Sequence, residues 1–167
     1  MNPMFNSPVV CNTGPLIALA RVEIAWLPFR LFPEVVVPEE VREELFVLES
    51  PDRAHLTEVL KEARIHPRQS PPDRLLLAEL DSGEAAVIAA AVQLGYPSVI
   101  LDERKARRIA TRVYGLEVKG SCGLLVEAKA RGHIEKVRPY LEGMIHGGYF
   151  IGPNLMAACL TAAGEQE

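Results

Sequence analysis

Four short runs rich in apolar and β-branched residues punctuate the chain: "PVVCN" (8–12), "EVVVP" (34–38), "PSVILDE" (97–103) and "LEVKG" (116–120). Each is followed at once by a helix-like segment. Parallel strands cannot be joined by a tight hairpin and need a crossover of about a dozen residues or more, usually a helix. Strands alternating with helices therefore direct the chain to an α/β fold with a parallel sheet.

The helix-like segments carry their own punctuation. "PLIALARV" (15–22) begins on Pro15, a residue suited to a first helical position, and "PEEVREELFVL" (38–48) has an acidic first turn that favours the helix dipole. "RAHLTEVLKEARI" (53–65) reads as a further helix, and "HPRQSPPDR" (66–74), with three prolines, as a loop. "LLLAEL" (75–80) leads into "DSGEAAVIAAAVQLG" (81–95), which is apolar nearly all round. That segment should be a buried helix closed by Gly95. Four more helices are expected over 104–115, 121–132, 133–145 and 153–164. With no repeat, low-complexity tract or linker in its 167 residues, the chain reads as one domain with an adequate core.

Composition narrows the partners. Apolar residues at 49% and charged residues at 24% describe an ordinary soluble protein. A net charge of −4 disfavours a globally basic nucleic-acid binder and leaves room for a local basic patch. The longest apolar run, "AAVIAAAV", is too short to span a bilayer, and the first residues lack a signal-peptide pattern. Cys11, Cys122 and Cys159 form no paired motif and read as buried thiols of a cytoplasmic protein.

The polar residues that matter are those the layout sends to strand ends. Asn12 closes the first strand, Asp102 and Glu103 close "SVILDE", and Glu84 lies in the first turn of the buried helix. On the helix of residues 38–48, Val41, Leu45 and Leu48 mark the buried stripe; Glu44 lies on that side and Glu43 points further off. Taken singly, each has a structural role open to it. Asp81 and Glu84 can form a capping box, Asp102 can cap the following helix, Glu44 can pair with Arg42 or Lys61, and Asn12 can close its own turn. Taken together, three carboxylates and an amide would repel one another without a cation among them. A hard divalent ion, Mg²⁺ or Mn²⁺, takes such oxygen ligands.

Other α/β chemistries lack their residues. The first strand's loop has a single glycine, so the dinucleotide fingerprint is absent, as are the P-loop and the serine-hydrolase elbow. Asn12 cannot form the covalent intermediate of an aspartyl phosphatase. His55, His66, His133 and His146 fit no zinc spacing and read as surface or loop residues.

In this order and at these separations, "VVCNTGPLIAL", "VVVPEEVREEL", "LDSGEAAVIAAA" and "VILDERKARRIA" resemble a PIN domain, over about Ser7 to Gly164. The resemblance is closest to a prokaryotic PIN-like group related to the VapC-type toxin ribonucleases. It implies a three-layer fold, with a twisted, mainly parallel sheet of four to five strands flanked by helices. It also implies an acidic cluster that binds Mg²⁺ or Mn²⁺ and cleaves RNA, often in a homodimer and often beside a small antitoxin. The family's acidic positions fall on Asn12, Glu44, Glu84 and Asp102, with Glu103 as a further acid and Thr13 as the hydroxyl residue after the first. Asn12 departs from the acid: its amide oxygen can ligate a cation but brings no charge.

An RNA substrate would need cations for its phosphates. Arg104, Arg108 and Arg112 recur every four residues as one helical stripe, with Lys105 beside it. Aromatic residues are 6% of the chain and do not interleave with basic ones, so no base-stacking platform is visible. Leu155, Met156, Cys159 and Leu160 make an apolar face on the last helix, for packing onto the sheet or for a partner. A metal-dependent endoribonuclease is the leading activity. A binding module without efficient metal binding and a small-molecule phosphohydrolase are the alternatives.

Overall fold

The computed structural model describes residues 3–47, 49–68 and 73–166. A 3-10 turn (Pro3–Asn6) leads into β1 (Val9–Cys11), α1 (Thr13–Arg21), α2 (Leu27–Leu31), β2 (Val35–Pro38) and α3 (Glu39–Val47). There follow α4 (Arg53–Leu60), β3 (Arg64–His66), α5 (Arg74–Glu79), α6 (Ser82–Leu94) and β4 (Ser98–Ile100). The remainder is α7 (Arg104–Arg112), β5 (Glu117–Lys119), α8 (Ser121–Ala130), α9 (Arg138–His146) and α10 (Pro153–Ala162).

The five strands form one all-parallel sheet in the order β3-β2-β1-β4-β5. The three central strands are buried throughout, which is why they are apolar apart from Ser98 at the start of β4. Cys11 pairs with Ile100, so β1 and β4 end level with each other. The helices flank this sheet in the three-layer α/β arrangement of the expected fold. α6 packs across β1, β2 and β4. It opens on Asp81, whose Oδ1 accepts the Glu84 N–H at 2.8 Å, and closes on Gly95 at φ 70°.

Two segments differ from their sequence reading. Residues 53–65 do not form one helix: α4 stops at Leu60, and Arg64–His66 pair with β2 as the edge strand β3. Only Ile65 of those three is apolar, and an edge strand offers little burial to leave a pattern. His66 accordingly sits in a strand, hydrogen-bonded to Gln93, and His55 accepts the Ala25 N–H at 3.0 Å. Residues 133–145 are helical only from Arg138, because Pro139 fits the first turn of a helix and not its interior.

The apolar face of α3 buries Val41 and Leu45; Leu48 lies outside the described residues, as do Gln69–Pro72 of the proline-rich loop. On α10, Cys159 and Leu160 are buried, Met156 packs against the core and Leu155 is exposed. Cys11 and Cys159 are buried free thiols; Cys122 is half-buried, and its carbonyl accepts the Cys159 thiol at 3.5 Å. Glu165, after α10, accepts the N–H groups of Val137 (2.6 Å) and Arg138 (3.0 Å) and pairs with Lys129 at 2.9 Å. Burial opposes its ionisation, yet these donors hold its carboxyl down at about 2. Among the described residues no helix is long and apolar enough to cross a membrane.

Candidate functional site

The chain leaves β1 for β2 and β3 on one side and returns to β4 and β5 on the other. At such a reversal a crevice opens beyond the carboxyl ends of the strands, where α/β folds place ligands. Here it is a cavity of about 390 Å³ whose wall includes Asn12, Glu44, Asp81, Glu84, Asp102 and Glu103. All five acid and amide positions singled out from the sequence meet there, joined by Asp81. Thr13, Tyr149 and Phe150 line it too.

Asn12 follows β1 directly, and its backbone N–H still pairs with Ile100 at 3.1 Å. Its side chain makes no capping bond to α1, so the turn-closing role is not what it does. Oδ1 is buried and has no hydrogen-bond partner among the described residues. An unpaired buried acceptor is costly and calls for an explanation. Next to it Thr13 donates from Oγ1 to Oε2 of Glu44 at 2.9 Å, tying α3 to the end of β1. Arg42 and Lys61 pair with Glu39 and Glu58 rather than Glu44, while Glu43 turns away to Arg68.

Gly83 explains how these groups come so close. A Cβ placed on it would stand 2.9 Å from Oε2 of Glu44, 3.3 Å from Oδ1 of Asn12 and 3.5 Å from Oδ1 of Asp81. Glu84 is buried beside them, and its carboxyl is pushed up to about 7. Burial is the main cause; the hydrogen bond and charge of Asp81 add to it, followed by the charges of Glu103 and Glu44.

Asp102 is held from a different quarter. Its Oδ1 accepts the Ser121 N–H at 2.7 Å, and its Oδ2 accepts the Ser121 hydroxyl at 2.5 Å and the Tyr149 phenol. Gly120 leaves room for this, since a Cβ there would meet Oδ1 of Asp102 at 2.6 Å and Arg107 at 2.7 Å. Asp102 is therefore not the cap of α7. Glu103 is, accepting the Ala106 N–H at 2.9 Å while still bordering the cavity. Burial and the nearby Asp102 charge raise the Cys11 thiol far above its ordinary value, consistent with an inert core residue.

A family model for the PIN domain matches residues 8–165. The chain belongs to the PIN domain family. No curated protein matches it. The PIN fold is of nuclease type, and its members generally use divalent metals. In this PIN domain the polar residues lining the cavity, Asn12, Thr13, Glu44, Asp81, Glu84, Asp102, Glu103 and Tyr149, come from five separate stretches of chain.

Asp81, Ser121, Tyr149 and the two glycines were not evident as site residues in the sequence. Asp81 showed only its capping signal. Ser121 and Tyr149 lie 19 and 47 residues from Asp102, with no periodicity to connect them. The basic stripe is exposed and does not line the cavity. Lys105 pairs with Glu79 at 2.9 Å, whereas Arg104, Arg108 and Arg112 have no ion pair among the described residues.

As they stand, no three His, Cys, Asp or Glu side chains among the described residues are gathered tightly enough to hold a metal ion. The donor chemistry of this PIN domain nonetheless fits a hard cation. Its donors are oxygens, one is a buried carbonyl with no partner among the described residues, and burial, with the acids around it, raises the Glu84 carboxyl. A divalent ion would satisfy the orphaned oxygen and relieve the crowding.

Proposed function

We propose that this PIN domain is a Mg²⁺- or Mn²⁺-dependent endoribonuclease. The observation that carries the reading is the crowding of Glu84 by Asp81, Glu103 and Glu44 beside the unpartnered Oδ1 of Asn12. In this reading Glu44, Glu84 and Asp102 hold the cation, with Asn12 as a neutral ligand and Glu103 as a peripheral acid. When bound, the cation supplies Lewis-acid polarisation of the phosphodiester and a more acidic water. The protein's own groups set the geometry. Thr13 orients Glu44 and borders the substrate, Ser121 and Tyr149 orient Asp102, and Glu84 would hold the cation in its deprotonated form. Arg104, Arg108 and Arg112, with Lys105, take the RNA backbone.

The test is Mn²⁺ titration by calorimetry together with RNA cleavage, on the wild type and on Glu84→Gln and Asp102→Asn. Both substitutions should abolish cleavage and weaken Mn²⁺ binding. Cleavage that survived both would refute the assignment. The family setting supports a cytoplasmic toxin, working as a homodimer with a small antitoxin partner.

A second reading, a PIN-like binding module that has lost efficient metal binding, is favoured by the missing charge at Asn12. Asn12→Asp separates the two. If only this variant binds Mn²⁺ and cleaves, the binding module is the correct reading; if the wild type already does, the nuclease is.

A further inference from the structure

The segment "GGYFIGP" (147–153) joins α9 to α10 and runs past the acidic cavity. Gly148 turns the chain at φ 91°, a conformation that favours glycine. Tyr149 is then fixed twice, its N–H on the Met144 carbonyl at 2.9 Å and its phenol on Asp102. Ile151 is buried. Phe150, between these two anchors, is turned outward and is 87% exposed. A loose loop does not explain this exposure, because the residues on both sides are held.

Scattered apolar residues on a surface are ordinary. Phe150 differs by chemistry and by place. It is the most exposed large hydrophobic residue, and the one aromatic among the large exposed hydrophobics, of the described residues. It also stands on the rim of the cavity, one residue from the phenol that anchors Asp102.

We propose that Phe150 is the platform on which an unpaired base of single-stranded RNA stacks while its phosphate lies at the acidic cavity. This rests on the nuclease reading above. The acids repel a phosphate backbone, so strand affinity has to come from groups around them. The arginine stripe of α7 supplies charge. A flat ring supplies attraction for the neutral face of a base, which the neighbouring carboxylates do not repel. In a duplex the base faces are already stacked, so the ring selects single strands.

The test measures binding of a fluorescein-labelled hexaribonucleotide, an abasic chain with the same number of phosphates and a duplex, by fluorescence anisotropy. Wild type, Phe150→Ala and Phe150→Trp are compared. Phe150→Ala should weaken the hexamer about tenfold, the equivalent of about 1.4 kcal/mol, and leave the abasic chain and the salt dependence unchanged. Phe150→Trp should restore binding, and the duplex should bind weakly to all three. Equal binding of the hexamer by wild type and Phe150→Ala overturns the inference, as does an equal loss on the abasic chain. A shift from dimer to monomer in sedimentation on Phe150→Ala, with RNA binding intact, also overturns it and gives the ring to an interface between copies. Wild type that neither binds nor cleaves RNA overturns the nuclease reading and this inference together. Wild type that cleaves, with Phe150→Ala unaffected, overturns only the latter.

Discussion

Ser121 holds Asp102 by both carboxylate oxygens, through its main-chain N–H on Oδ1 and its hydroxyl on Oδ2. With the Tyr149 phenol as a third donor, three of the carboxylate's roughly four acceptor positions are occupied; in the nuclease reading the remaining one serves the cation. Removing the hydroxyl in Ser121→Ala should destabilise the protein by about 1.5–3 kcal/mol, the range for a hydrogen bond to a charged group. Mn²⁺ affinity should fall about 10–100-fold, as for other groups that orient a metal ligand. Urea melts and calorimetry measure the two effects; unchanged Mn²⁺ affinity would show that Ser121 does not position Asp102 for a metal.

Gly83→Ala should separate stability from function. The new methyl meets the end of the Glu44 side chain, which can swing away, so the fold survives. Gly83 is the second residue of α6, so only part of the roughly 0.5–1 kcal/mol that alanine gains over glycine mid-helix applies, and the melting midpoint should hold. Glu44 leaves its place beside Asn12, and Mn²⁺ affinity and cleavage should drop about tenfold or more. A variant that is both stable and fully active would show that the close approach of these oxygens is unimportant.

The raised Glu84 carboxyl gives a pH signature. Its value moves from 4.5 to about 7 on folding, so the folded chain binds this proton more tightly than the unfolded one. The associated stability is complete below about pH 4.5 and is lost as pH rises through about 7. In metal-free buffer the wild-type melting temperature should therefore decline over that window relative to Glu84→Gln. Parallel scanning-calorimetry curves for the two proteins would contradict it. Mn²⁺ binding should strengthen over the same window, because proton and cation compete for one site.

The arginine stripe is tested by salt. If Arg104, Arg108 and Arg112 each neutralise one phosphate of a single strand, each change to Ala should reduce the slope of log affinity against log salt by about 0.7. The triple variant should lose about 2 in slope while keeping its Mn²⁺ affinity. An unchanged slope would assign these residues to a solvated helix face.

Much of this molecule was legible from periodicity. The central strands are buried on both faces and so leave nearly continuous apolar runs; α6 is apolar nearly all round and packs across the sheet centre. The ligand candidates could be placed because each lies beside a strand end or on a marked helix face. β3 was hidden because Arg64 and His66 leave Ile65 alone as its apolar signal. Tyr149 was hidden for another reason: its partner, Asp102, is distant in sequence, and nothing local in a glycine-rich connector encodes that contact.

Glu165 gives this arrangement a remote handle. It fastens the first turn of α9, and α9 delivers the connector that carries Tyr149 to Asp102. A carboxypeptidase that trimmed the chain past Glu165 would leave two main-chain N–H groups at the head of α9 without their acceptor, and Lys129 without its partner. The cut would remove no cavity residue, yet it would undo the fastening of the helix whose far end leads to Tyr149.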